Sequence, residues 1–312
     1  MNKTAAFLSG VAMAAVAAVT PASAKPINSI GVTLGSLGNP YFVALTQGAT
    51  AEARKTNPQA HVIALSADYD LNKQFSQIDN FIASGVQLIL INAVDPQAIL
   101  PAIKRAQAAG IVVVAVDVKA AGADATVQTD NVEAGRLSCA FLAKSLGGKG
   151  NVAIQNGPQV SAVIDRVTGC KQAFSQAPGI HVVTDDQNGQ GSRDGGFSIM
   201  QGYLVRYPNL NGVFTINDPQ AVGSDLAIRQ GHGHDIIVTS VDGAPDFVSA
   251  LKSGHSAIKA SSTQDPYQMG ANAVDMAQAI IDGHGQRGQT KLMAPVLVNS
   301  DNVGSYRGWT EH

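Results

Sequence analysis

Polar side chains in this 312-residue sequence gather just after its apolar runs. Val112–Val116 ends at Asp117, Val213–Ile216 at Asn217-Asp218, Ile236–Val241 at Asp242-Gly243, and Ala257–Thr263 at Gln264-Asp265. Carboxylates and carboxamides offer several hydrogen bonds in fixed directions, which suits a ligand dense in hydroxyl groups. Ionised acceptors make the stronger bonds. A fifth run, Ile30–Leu34, leads through Gly35 and Gly38 to Asn39-Pro40-Tyr41-Phe42, placing an amide and two aromatic rings after a first strand. Any one of these has a plainer role, an Asp as a helix cap or an aromatic as core, but the set shares one kind of position. Reactive patterns are missing. No G-x-S-x-G elbow and no Ser/His/Asp set at strand ends is present. Gly283–Gly288 matches G-x-G-x-x-G, yet it follows a helix and reads as a C-cap loop. His232 and His234 sit in a glycine loop without further ligands, so no metal site is expected there.

The elements that must carry these groups alternate. Strands are expected at Ile30–Leu34, His61–Ser66, Leu88–Ile91, Val112–Val116 and Thr126–Thr129, with helices between them at Pro40–Thr56, Leu71–Ser84 and Pro96–Ala109. A helix at Asn131–Leu146 opens a second series, with strands at Asn151–Gln155, His181–Thr184, Val213–Ile216, Ile236–Val241 and Ala257–Ser262. Its helices are expected near Val160–Ala177, Arg193–Tyr207, Gln220–Gln230 and Pro245–Ser253; a helix Tyr267–Asp282 and a strand near Pro295–Val298 close the chain. Such alternation predicts an α/β protein with doubly wound parallel sheets covered on both faces. The number of strands favours two sheets, hence two flavodoxin-like lobes. The break falls near Thr129–Asn131 without a Pro/Ser-rich linker, which argues for lobes joined by short hinges.

Residues 1–24 read as a signal peptide: Lys3, an apolar stretch Ala5–Val19, and the small residues Ala22-Ser23-Ala24 at the cleavage site. The remaining chain is expected outside the cytoplasm. The full sequence is slightly acidic, with a net charge of −2, and no Lys/Arg run marks a nucleic-acid surface. With 45% apolar and 14% charged residues the chain is globular with a large core. Export makes a Cys139–Cys170 disulfide the expectation, two buried thiols being the alternative.

Taken in order, Gly38-Asn39-Pro40-Tyr41-Phe42, Val116-Asp117, Thr129-Asp130-Asn131, Arg166-Val167-Thr168-Gly169, Phe214-Thr215-Ile216-Asn217-Asp218, Val241-Asp242-Gly243-Ala244-Pro245 and Gln264-Asp265-Pro266 form a recognisable series. The chain resembles the periplasmic sugar-binding proteins of the ribose-binding type, the receptors of bacterial ABC transporters, from about Ser29 to Val298. The resemblance implies three crossovers between lobes, near Thr129–Asn131, Gln264–Asp265 and Lys291–Val296, with Asp130, Asn131 and Asp265 at the hinge. One lobe would then comprise residues 25–129 and 265–293, the other 130–264 and 294–312. It also implies that Asn39 and Asp117 bond sugar hydroxyls from the first lobe, Asn217 and Asp242 from the second, and Gln264 from the hinge. Tyr41 and Phe42 would pack on the apolar ring face. Arg166 matches a ligand-side arginine, while Asp68 and Tyr69 could reach the rim of the cleft.

Departures from the family pattern accompany the match. Val118 and Ile164 stand where ribose-type members carry arginines, and Gly191 and Val241 where they carry aromatics. Ribose is therefore not the expected ligand; another monosaccharide, a sugar alcohol or a larger sugar is. The expected function is a non-catalytic, cofactor-free periplasmic subunit that closes on its sugar and presents it to a membrane permease, acting as a monomer. Alternatives are a receptor feeding a chemotaxis or two-component sensor, and a secreted carbohydrate-active α/β enzyme. A LacI-type regulator, which shares this fold, would need a DNA-binding segment in place of the export signal.

Overall fold

A computed structural model describes residues 25–231 and 235–309. The expected signal peptide and the His232/His234 pair lie outside the described residues. The first series runs β1 (Ser29–Leu34), α1 (Pro40–Thr56), β2 (His61–Ser66), α2 (Leu71–Ala83), β3 (Leu88–Ile91), α3 (Leu100–Ala108), β4 (Val112–Val116) and β5 (Ala125–Thr129). The second runs α4 (Asn131–Ser145), β6 (Lys149–Gln155), α5 (Ser161–Ser175), β7 (Gly179–Thr184), α6 (Arg193–Arg206), β8 (Leu210–Thr215), α7 (Asp218–Gln230), β9 (Ile237–Asp242), α8 (Pro245–Lys252) and β10 (Ile258–Thr263). Then come α9 (Pro266–Ile281), β11 (Gln289–Met293) and β12 (Leu297–Asn299).

The strands form two six-stranded sheets, in the orders β2-β1-β3-β4-β5-β11 and β7-β6-β8-β9-β10-β12. Every pairing is parallel except β10–β12. Strands β3 and β4 are buried along their whole length, which is why they read as unbroken apolar runs. Beyond β5 the chain changes sheet three times: between β5 and β6, between β10 and β11, and between β11 and β12.

Three local outcomes differ from the sequence reading. β11 was not expected, because Gln289-Thr290-Lys291-Leu292-Met293 is an exposed edge strand with no apolar run to betray it. Helix α3 starts at Leu100 instead of Pro96, since Asp95 Oδ1 accepts from Gln97 N and Ala98 N and holds that stretch in a turn. The last strand lies at Leu297–Asn299 and runs antiparallel to β10.

Among the described residues, helix pairs approach closely enough to demand glycine in three places: α4–α5, α1–α9 and, through Gly196 and Gly223, α6–α7. On α4 and α5, a Cβ at Gly135 would lie 2.0 Å from Arg166 O, and one at Gly169 would lie 1.9 Å from Val132 O. Gly48 on α1 and Gly270 on α9 meet the facing backbone in the same way. A disulfide between Cys139 and Cys170 joins α4 to α5, with both residues fully buried.

Candidate functional site

The carboxyl ends of β1, β3 and β4 face those of β8 and β9, with the β10–α9 junction beside them. This is where parallel α/β sheets place ligands. After β1, Asn39 caps α1 by accepting from Tyr41 N at 3.0 Å, and Pro40 occupies the first turn. That cap turns the Tyr41 and Phe42 rings inward, where they meet edge to face with centroids 5.4 Å apart. Tyr41 OH donates to Gln264 Oε1 at 3.4 Å.

Asp117 follows β4 with φ +67°, a left-handed conformation that Asp tolerates better than most residues. Its side chain is buried. Oδ2 accepts from Asn92 Nδ2 at 2.8 Å, whereas Oδ1 makes no hydrogen bond among the described residues. Burial pushes the carboxyl pKa up; the Arg166 guanidinium, the nearby Tyr41 hydroxyl and the Asn92 bond pull it down. Asn92 is itself held, its Oδ1 accepting from Gly35 N.

Across the cleft, Arg166 on α5 is buried. It donates from Nε to Asn131 Oδ1 and from a terminal nitrogen to Ile216 O, each at 2.8 Å. The same nitrogen lies 3.7 Å from Asp242 Oδ1. Asn217 caps α7 and donates to Gly191 O at 2.9 Å. Asp242 is gripped by Gln264 Nε2 at 2.7 Å and approached by Asp218 N at 3.4 Å. Asp218 is a second buried carboxylate, accepting from Ser240, Ser261 and Ala244 N. Burial raises the pKa of both acids. Arg166 opposes the shift at Asp242, and the charge of Asp218 adds to it.

These groups converge on a cavity of about 40 Å³, lined among others by Asn39, Tyr41, Phe42, Asp117, Arg166, Asn217 and Gln264. Its apolar wall includes Pro158, Val160, Val163 and Ile216. Asp242 does not line it; its side chain stands behind, braced against Gln264 and Arg166. Tyr69 does line it. The absence of a side chain at Gly35 makes room for its ring: a Cβ there would lie 2.6 Å from Tyr69 Cε1. Asp68 points elsewhere, exposed and paired with Lys73 at 2.5 Å. Asp130 and Asp265 cap α4 and α9 where the chain changes sheet. Trp309 is buried behind the site, donating to Asp242 O and Gln264 O at 3.1 Å and meeting Tyr41 edge to face. Among the described residues, no group of three or more His, Cys, Asp or Glu side chains is placed to hold a metal.

Asn92 and Asp218 are the polar residues that the strand-end reading passed over as site residues. Asn92 directly follows β3, so the same rule reaches it. Only contact across the site shows that it orients Asp117.

The two halves touch at the cleft mouth. Lys119 N donates to Ser161 Oγ, and Lys119 Nζ to Asp165, each at 2.7 Å. The arrangement is closed. A 40 Å³ space is little more than one water occupies.

Residues 30–285 match the model of a periplasmic binding protein domain. The chain is 34% identical to the ribose import binding protein of Bacillus subtilis over 290 residues, covering 90% of this chain and 92% of that one. It is 29% identical to the xylitol-binding protein of Mycolicibacterium smegmatis, covering 94% and 83%. A solved ABC transporter solute-binding protein from Burkholderia graminis, in complex with D-arabinose, superposes with a TM-score of 0.83 at 27% identity, covering 91% of this chain and 99% of that one.

Proposed function

This chain belongs to the periplasmic binding protein family, among sugar-binding members of the ribose type, and from that premise we propose that it is the substrate-binding subunit of an ABC sugar importer. The observation that carries this reading is Asp117 Oδ1, a buried acceptor without a hydrogen bond among the described residues, in a cavity lined from both lobes. A sugar hydroxyl satisfies it. Asn39 and Asp117 grip from one lobe, Asn217 and Arg166 from the other, and Gln264 from the junction, while Tyr41 and Phe42 cover an apolar ring face. Asp242 acts one step back, holding Gln264 and facing Arg166. Family members bind solutes without transforming them, and the proposed role is likewise binding alone, with no cofactor.

In this reading residues 25–129 with 265–293 form one lobe and 130–264 with 294–312 the other, and Asp130, Asn131 and Asp265 mark the hinge. Opening admits the ligand. Closure follows because only the closed form contacts it from both sides, so the ligand favours that form by differential affinity. A membrane permease then reads the closed shape of a monomer; a chemoreceptor is a second reader of the same shape. The protein acts in the periplasm after cleavage near Ala24.

The family's names support a small hydroxyl-rich ligand, whereas Val118, Ile164 and Gly191 argue against ribose. Val118 is buried and apolar, and Ile164 is 44% exposed. Thermal-shift screening against pentoses, hexoses and polyols tests the proposal, since a bound ligand raises the melting temperature by mass action. At least one such compound should stabilise the protein and be recovered unchanged. Failure of all to bind, or conversion of the bound compound, would overturn it.

A further inference from the structure

The central cavity adjoins a larger space. A groove of about 470 Å³ lies outside it, and Asn39, Tyr69 and Gly191 line both. The groove is within the size range of small-molecule sites, roughly 300–1,000 Å³, which the closed inner cavity is not. At the threshold stands Gly191, with φ +63° and no side chain. A Cβ built there would find Asn217 Nδ2 at 3.3 Å, Tyr69 OH at 3.8 Å and Pro158 Cδ at 3.9 Å. A large side chain at this point would stand as a partition between the two spaces; glycine puts no side chain there.

The lining has a mixed character. Pro40, Pro219, Val222, Ala244 and Pro245 supply flat apolar patches from both lobes. Ser36, Gln190, Arg193 and Asp246 supply donors and acceptors around them. Of those four, Gln190, Arg193 and Asp246 are exposed and free to adapt, unlike the fixed network around Asp117. Apolar patches with a polar surround match a sugar ring, whose C–H groups pack on one surface while its hydroxyls reach the edges.

We infer that the ligand is longer than one sugar unit: once the lobes part enough to widen the inner cavity, a first ring sits against Asp117 and a second, glycosidically linked ring extends past Gly191 into the outer groove. This rests on the sugar-binding reading above and narrows it to a disaccharide.

The experiment compares D-ribose, D-galactose and D-glucose with lactose, melibiose, maltose and cellobiose, first by thermal shift and then by titration calorimetry. At least one disaccharide should bind about tenfold or more tightly than its component monosaccharides. Val222→Trp, which fills the outer groove from α7 without touching the inner cavity, should erase that gain and leave monosaccharide binding unchanged. Should that variant fold poorly, Arg193→Ala, at an exposed position, should reduce the gain several-fold. If monosaccharides bind as tightly as any disaccharide, or if both variants leave disaccharide affinity intact, the inference falls while the importer reading stands. If no sugar or polyol of either size binds, the importer reading falls and takes this inference with it.

Discussion

Replacing Asp117 by Asn separates ligand recognition from folding. Asn92 Nδ2 donates to Asp117 Oδ2 at 2.8 Å, and Asn92 Oδ1 is already engaged by Gly35 N. The amide oxygen of Asn at 117 must therefore face Asn92, which puts its NH2 where Oδ1 now stands. A bare acceptor in the cavity becomes a donor. One charge-assisted hydrogen bond to the ligand is lost, about 1.5–3 kcal/mol. That corresponds to roughly 10- to 150-fold weaker binding. Stability should hold, because φ +67° suits Asn as well as Asp and a buried charge is removed. Calorimetric titration with the most stabilising compound of the screen measures the affinity, and the unliganded melting temperature serves as control. A dissociation constant within about threefold of wild type, with an unchanged melting temperature, would refute the assignment of Asp117 to the ligand.

Other perturbations have equally definite outcomes. The Cys139–Cys170 link closes a loop of sequence separation 31, so its removal in a C139A/C170A variant should cost about 3–4 kcal/mol. The melting temperature should then fall by roughly 5–7 °C; a fall below about 2 °C would contradict the entropic account. Asp218 and Asp242 have pKa values raised on folding, chiefly by burial, so they contribute stability that is complete below the ordinary carboxylate pKa and lost as pH rises through the raised values. Asp218→Asn keeps the Ser240 and Ser261 hydroxyls partnered and relieves the repulsion on Asp242. Its melting temperature should therefore decline less than wild type between pH 5 and about pH 9, as scanning calorimetry would show. Lys119→Ala removes the Lys119–Asp165 pair at the cleft mouth but spares the backbone bond to Ser161. An exposed pair of this kind is worth about 0–1 kcal/mol, so affinity should fall by less than about fivefold, with the change in the dissociation rate measured by stopped flow.

The architecture was legible because parallel strands buried on both faces leave long apolar runs, and β3 and β4 are such runs from end to end. The strand-end rule also reached Asp117, Asn217, Asp242 and Gln264, because chain direction alone puts those positions at the carboxyl edges. It could not rank them. Asp117 presents a bare oxygen to the cavity while Asp242 stands behind Gln264, a distinction set by side-chain direction and by the neighbours Asn92 and Arg166. Tyr69 and Asp68 are adjacent in the same loop with similar positive φ, yet one lines the cavity and the other pairs with Lys73 in solvent. β11 carries no hydrophobic signature because it pairs only at an edge. The helix contacts at Gly135 and Gly169 were equally silent, since a glycine's contribution there is the space it leaves.

The repeated exchange of chain between the two sheets also bears on how the molecule comes into being. α9 packs Met269, Ala273, Val274, Ala277 and Ile280 against the first sheet's core, and β11 completes that sheet's edge. The half that is synthesised first thus waits for residues near the end of the message before its hydrophobic interior can close. A nascent polypeptide lacking its last fifty residues has neither half whole, so neither interior can finish packing until the end of the chain has been made.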